Sequence, residues 1–346
     1  MKNTGATMIT NTIRTHPSAA PLARNTEYDV VVIGGGAAGL SGALALARSR
    51  RTVLVIDDGQ PRNAPANHMH NYLTRDGTPP AELVAVGRAE VLSYGGEIMT
   101  GCVTTLERIT DQKNRDGFRV VLDNGTSFVA RRLLVATGLV DELPDLPGVA
   151  EGWGRDVLHC AYCHGWEVRD QAIGILGTGP MLMHQALLFR QLSADVVVFQ
   201  HTAPRLTDEQ REQLTARNIM IVEGEVAALE IDNDQLVGVR LRSGEFTARQ
   251  AMVVTPRFAA RAAILDMLGL ATTAYEIAGH VVAAYVAADA NGATSVPGVW
   301  VAGNVADPMA QVIGAAAAGL KAGAAINADL VMEETARAVA DWRAQQ

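Results

Sequence analysis

The chain has 346 residues, 48% of them apolar and 19% charged, the balance of a globular protein with room for two cores. A net charge of -8 without clustered basic residues argues against a nucleic-acid surface and leaves small or neutral partners. No run of about 18 apolar residues offers a membrane span, and three cysteines are too few for a disulfide scaffold, so the expectation is a protein of the reducing cytoplasm.

Residues 1–25 are rich in Thr, Asn, Ala and Pro and lack the apolar core of a secretory signal. A disordered tail is expected, with an organelle transit segment as the alternative. The folded part begins at Tyr28-Asp29-Val30-Val31-Val32-Ile33, a β-branched run that reads as a buried parallel strand. It enters Gly34-Gly35-Gly36-Ala37-Ala38-Gly39, then a helix from Leu40 to Arg48 and a strand from Thr52 to Ile56 that ends at Asp57. This is the order of a dinucleotide-binding βαβ unit: Gly34 for the tight turn, Gly36 for approach to a pyrophosphate, Gly39 for helix–strand packing, and Asp57 for a ribose hydroxyl.

Gln60 to Pro80 is polar and proline-rich and reads as a loop; its Asn63, His68, His70, Asn71 and Arg75 are each expected to be loop hydrogen-bonders. A helix follows at 81–93, then strands at 97–105, 118–122 and 127–129 with a hairpin turn at Asp123-Asn124-Gly125. Cys102 falls in the first of these strands and reads as an inert buried thiol. Arg132 to Ala136 runs into Thr137-Gly138, and the segment Leu143 to Gly148 is a proline-rich boundary.

Next comes His159-Cys160-Ala161-Tyr162-Cys163-His164-Gly165. Two cysteines at this spacing close a disulfide in one turn, and adjacent histidines or a helix N-terminus favour the thiolate. A redox pair is the leading reading. A zinc half-site is the first rival, but no second cluster supplies the remaining ligands, and a static staple would join more distant segments. A second βαβ unit follows: strand 172–176, Gly177-Thr178-Gly179-Pro180, a helix to Leu192 and strand 196–199. A helix at 207–216 and short strands to Val254 complete this half. The strand Val299 to Ala302 then leads through Gly303-Asn304-Val305 to a helix at 311–327 and a last amphipathic helix at 328–342.

Taken together, the glycine turn, Ala136-Thr137-Gly138, the Cys160/Cys163 pair, the second turn and Ala302-Gly303-Asn304 with Gln311 make the chain resemble the low-molecular-weight thioredoxin reductase family of flavoproteins. The resemblance implies an α/β fold of two Rossmann-like domains. The FAD-binding domain would be discontinuous, 26–143 and 260–346, with a pyridine-nucleotide-type domain, 144–259, inserted and carrying the cysteines. It also implies a homodimer and FAD held by Gly34, Gly36, Ala37, Ala38, Gly39, Asp57, Asn63, Ala136, Thr137, Gly138, Gly303, Asn304, Gln311 and Val312. No metal is expected.

Three departures matter. Asn304 stands where the family has an aspartate, and its amide can still meet a ribityl hydroxyl. The inserted turn carries Pro180 and the bulky Leu182, and Gln200 to Arg205 offers one arginine where NADPH-using members have a basic cluster, which argues against NADPH. His164 replaces the usual acid after the second cysteine, and Cys-Ala-Tyr-Cys-His-Gly-Trp-Glu resembles the gliotoxin- and holomycin-type dithiol oxidase branch. That resemblance implies oxidation of a small-molecule dithiol, of natural-product type, with O2 as acceptor and H2O2 as product. Cys160 would face substrate and Cys163 the flavin. His159 or His164 would take the thiol proton, and Asp307 would orient one of them. The competing readings are an NAD(P)H-dependent disulfide reductase and a non-catalytic redox sensor.

Overall fold

The computed structural model describes residues 26–110 and 116–346, so the expected tail over 1–25 lies outside the described residues. The first half opens with β1 (Glu27–Ile33), α1 (Ala37–Arg48) and β2 (Val53–Asp57). The valines of β1 and β2 are fully enclosed because helices cover one face of the sheet and a hairpin layer the other. After a long loop come α2 (Pro80–Ser93), β3 (Glu97–Thr100), β4 (Val103–Thr110), β5 (Asp116–Leu122) and β6 (Ser127–Val135). The sheet runs β3-β2-β1-β6-β5-β4, with β1 parallel to β2 and β6, and β4 to β6 an antiparallel meander. The expected strand over 97–105 is therefore two strands, broken at Gly101-Cys102. Cys102 is exposed in that break, not buried, although its carbonyl accepts from Asp123 N at 2.9 Å.

The chain leaves this unit along β7 (Leu139–Glu142) and enters the inserted unit. There α3 (Val149–Gly152), β8 (Val157–Leu158), α4 (Ala161–His164), β9 (Ile173–Leu176), α5 (Leu182–Phe189), β10 (Val196–Phe199), α6 (Asp208–Ala216) and β11 (Met220–Val222) precede an antiparallel sheet of β12 (Val226–Asp232), β13 (Gln235–Leu241) and β14 (Phe246–Ala248). β15 (Ala251–Val253) completes a parallel sheet of order β11-β10-β9-β15-β8. The return crossing is β16 (Arg257–Ala260), which pairs antiparallel with β7, so exit and entry lie side by side. After α7 (Ala263–Asp266), β17 (Thr273–Ile277) and β18 (His280–Tyr285) extend the crossing into a four-stranded sheet.

The last segment closes the first sheet: β19 (Val299–Val301) pairs in parallel with Leu133–Val135 of β6. The architecture is therefore α/β with two dinucleotide-binding-type domains, one of them assembled from both ends of the chain. A 3-10 turn at Gly303–Val305 leads to α8 (Val312–Ala344), one helix of 33 residues where two were expected. Residues 327 and 328 carry no Gly or Pro to end a helix, and Asn327 is held from the side by Arg51 Nε at 2.8 Å. Arg51, Arg131 and Arg132 bind Asp329, Glu333 and Glu334 on the next two turns, continuing the helix across the expected break. Tight seating of α8 on α1 needs Gly319, where a Cβ would stand 1.9 Å from the Ala38 carbonyl oxygen. That contact sets the α8 N-terminus beside the α1 N-terminus.

Candidate functional site

The glycine turn after β1 divides its glycines by task. Gly34 has φ +102°, and a Cβ there would lie 2.4 Å from the Ala136 oxygen; one on Gly39 would lie 1.8 Å from the Gly34 oxygen. Both glycines are demanded by the fold. Gly36 differs: its φ is -78° and nothing lies within 4 Å of where a Cβ would stand. It faces open space at the start of α1, whose first amides have no side-chain cap. Unpaired amides of a helix N-terminus around a void suit a pyrophosphate. The Gly36→Val variant is therefore expected to fold with an unchanged far-UV circular dichroism spectrum yet purify with little or no flavin. A fully loaded yellow variant would show that the void is not the cofactor cradle.

From this turn one cavity of about 1240 Å³ runs past Asp57, Asn63 and Ala136-Thr137-Gly138 to Gly303, Asn304, Gln311 and Val312, and reaches Cys160 and Cys163. Asp57 is already oriented: Oδ1 accepts from Gly35 N at 2.8 Å and Oδ2 faces Arg88 Nη1 at 3.4 Å. The Thr137 hydroxyl donates to the Arg261 oxygen at 2.6 Å, stitching the Ala136-Thr137-Gly138 turn to the returning chain. Asn304 spends its amide differently from the expected ribityl contact. Its Nδ2 donates to the carbonyls of Asp307 at 3.0 Å and Ala310 at 2.9 Å, and its Oδ1 accepts from Arg62 at 3.3 Å. A carboxylate could not donate to those carbonyls, so the amide is what ties down the loop entering α8. A cradle of this length, with an anion-ready turn at one end and an oriented acid beside it, fits FAD.

At the other end, Cys160 and Cys163 form a disulfide across α4, with Cα atoms 5.2 Å apart. Cys160 is the N-cap of that single turn, and Cys163 N–H donates to its sulfur at 3.1 Å. His159 lies between the rings of Trp153, stacked at 5.5 Å, and Phe258, edge-on at 5.6 Å. Burial, and then the nearby Arg62 guanidinium, push its imidazole down to about 4. Burial also lowers His164, against the opposing pull of Glu167. Both rings are therefore neutral at pH 7.

Asp307 does not line the cavity that holds both histidines. Its Oδ1 accepts from Met309 N at 3.0 Å, and it lines a separate cavity of about 420 Å³ against α8. The acid that acts on His159 is Asp141, which holds Arg62 through two bonds of 2.6 and 2.8 Å, while Glu167 acts on His164. Arg62 also lies over the Phe258 ring at 4.9 Å. Nothing in the sequence marked Arg62, Asp141, Trp153 or Phe258, which come from four separated segments.

The second glycine turn divides in the same way: Gly177 is packed tightly, while nothing lies within 4 Å of where a Cβ on Gly179 would stand. A Cβ on Gly177 would lie 2.6 Å from the Gln200 oxygen, and Leu182, the first residue of α5, is buried in the domain core. After β10, His201 accepts from Val226 N through Nδ1 at 3.0 Å, and burial lowers its pKa, so it offers no positive charge there at neutral pH. Arg205 is exposed.

Residues 28–323 match the family model described as pyridine nucleotide-disulphide oxidoreductase. The chain belongs to that family. The thioredoxin reductase sirT of Leptosphaeria maculans is 32% identical over 318 residues, 87% of this chain and 93% of that one. A probable thioredoxin reductase of Arthroderma benhamiae is 36% identical over 181 residues, 52% of this chain and 45% of that protein. Among solved structures, the crystal structure of HlmI superposes with a TM-score of 0.83 at 46% identity, covering 92% of this chain and 98% of that one. The chain is thus a redox enzyme of the disulfide oxidoreductase type, in a flavoprotein family whose thioredoxin reductase-like members bind FAD. No helix among the described residues is long and apolar enough to cross a membrane.

Proposed function

We propose that the protein is an FAD-dependent dithiol oxidase that closes a disulfide in a small-molecule dithiol of natural-product type. The observation that carries this reading is the single cavity joining the dinucleotide cradle to the Cys160–Cys163 disulfide. The cavity wall near the disulfide includes Trp153, Met181, Leu188, Phe189 and Phe258, an apolar lining suited to a compact organic substrate rather than a charged one.

A substrate thiolate attacks Sγ of Cys160. The Cys160–Cys163 bond breaks, and its electron pair leaves as the Cys163 thiolate. The second substrate thiolate then attacks the substrate sulfur of the mixed disulfide and expels the Cys160 thiolate. The product leaves two electrons poorer, and its two thiol protons pass to His159 or His164 and then to water. FAD would be held along Gly34 to Gly39, Asp57 and the α8 N-terminus and would supply the two-electron acceptor for the Cys160/Cys163 dithiol. With O2 as the final acceptor the overall balance is dithiol plus O2 giving disulfide plus H2O2, the two thiol protons ending, by way of water, on the peroxide. The amides of the glycine turn bind the FAD phosphates, and Asn304 and Gln311 shape the loop at the cofactor's other end. A homodimer in the cytoplasm completes the reading. The test is oxygen uptake driven by a dithiol without nucleotide.

A base works in its unprotonated form, and the pKa of each candidate imidazole lies below the usual 6.5. The acid limb of dithiol oxidation is therefore displaced downward. If His159 is the base, turnover should hold steady as pH falls from 7.5 to 6.5 and His159→Gln should remove the acid limb; a limb that begins higher but below the ordinary imidazole value, and that His164→Gln removes, would assign the base to His164. A limb centred at or above 6.5 in the wild type would exclude both histidines as the base. The names of the relatives favour a second reading, a nucleotide-driven disulfide reductase.

A further inference from the structure

Between β2 and α2, residues 58–79 form a loop without a helix or regular strand, a length at which loops commonly carry function. It keeps its own shape: Met69 bridges to Thr78, Asn71 N donates to Asp76 Oδ1 at 2.8 Å, and Asn71 and Thr74 hold positive φ angles of 61° and 74°. The loop belongs to the first domain, yet three of its residues grip the inserted one. His70 Nε2 lies 3.2 Å from Glu167 Oε1, while its Nδ1 faces Asp76 Oδ2 at 3.4 Å. Asn71 Nδ2 donates to the Tyr162 carbonyl, which lies between the two cysteines in sequence. Pro65 packs on Gly154, where an added Cβ would approach it to 2.8 Å.

We propose that this loop is a strap and that His70 and Asn71 are positioning residues for the redox element. The cysteines are carried by one domain and the glycine cradle by the other, and the covalent crossings between them are the two paired strands β7 and β16. Side-by-side crossings act as a hinge axis and leave rotation about it free. The strap binds the far side of that hinge, at residues 162 and 167, on both sides of Cys163. Its polar grip falls on and just after α4, at the Tyr162 carbonyl and the Glu167 carboxylate, so it fixes the disulfide segment, with Pro65 against Gly154 as an added apolar contact to the inserted domain. The imidazole is held between two carboxylates, which orients both of its nitrogens.

This inference rests on Cys160–Cys163 being the redox pair, and the experiment separates the two. In the flavin-loaded, full-length protein, the His70→Ala/Asn71→Ala double variant should take up deuterium across residues 158–167 about tenfold faster than wild type, because local opening is no longer restrained. Reduction of the cysteine pair by dithiothreitol, counted by thiol alkylation, should be unchanged. Bleaching of the flavin by the same reagent should slow by roughly tenfold to a hundredfold, the cost of a small misplacement. His70→Gln, whose amide nitrogen can still reach Glu167, should restore most of both readouts. Deuterium uptake equal to wild type, or faster uptake with bleaching at the wild-type rate, would overturn the strap. If dithiols fail to bleach the wild-type flavin at all, the dithiol oxidase reading falls, and deuterium uptake alone still decides the strap.

Discussion

Cys160→Ser and Cys163→Ser should each abolish turnover with any dithiol, and Cys102→Ser should leave it intact. A serine oxygen can neither accept attack by a thiolate nor leave as a stable anion in exchange, so losing one sulfur removes the whole two-electron step. Cys102 lies at the other end of the cavity, in the break after β3, where Gly101 N donates to the Asp57 oxygen at 3.0 Å. Its exposure makes it open to alkylation, and alkylating the oxidised wild type should modify Cys102 without loss of rate. The single-cysteine variants also report which sulfur faces the cofactor. With Cys160 removed, Cys163 remains as a free thiol, and its thiolate beside bound FAD should give a long-wavelength absorbance that Cys163→Ser lacks. Wild-type turnover in Cys163→Ser would end the proposed mechanism, as would loss of activity on removing Cys102.

The parts of this molecule legible in the sequence are those encoded by neighbouring residues. A strand of valines, a glycine turn and an alanine-rich helix announce a βαβ unit because turn, helix and strand each depend on residues within one stretch. The Cys160/Cys163 pair is legible for the same reason. What escaped is built by convergence. His159 is marked as a candidate base by its place beside Cys160, but the Trp153, Phe258 and Arg62 that close around it are related to it by no spacing. His70 and Asn71 read as loop polar groups because their partners, Glu167 and the Tyr162 carbonyl, lie some ninety residues on. The single α8 is hidden in the sequence because a change in pattern at 327 looks like a boundary, whereas the arginines of the first sheet meet the acids on its far side. Asp307 is close to Asn304 in sequence, and the loop turns its carboxylate onto Met309 N.

The electron donor should be a dithiol, with NADPH ineffective at micromolar concentration. A nucleotide 2′-phosphate needs positive charge after the second strand of its βαβ unit. There β10 ends at Phe199 and is followed by His201, whose Nδ1 is occupied by Val226 N and whose burial keeps it neutral, and by one exposed arginine, Arg205. Each missing charge-assisted contact forfeits about 1.5–3 kcal/mol, and about 1.4 kcal/mol is tenfold in affinity. Loss of two such contacts weakens binding by a hundredfold or more. NADH escapes this penalty, but it meets the same turn, where α5 begins only at Leu182 and that leucine is buried in the core. Under anaerobic conditions a small dithiol should bleach the flavin within the time of one turnover, and NADPH should not. With air admitted, oxygen uptake should match dithiol consumed and hydrogen peroxide released, one for one, with no nucleotide present. Restoring the charge should move the outcome: a Gln200→Arg/Thr202→Arg variant should bleach with NADPH faster than wild type does. Rapid bleaching of the wild type by micromolar NADPH, with negligible dithiol-driven oxygen uptake, would make the protein a reductase instead.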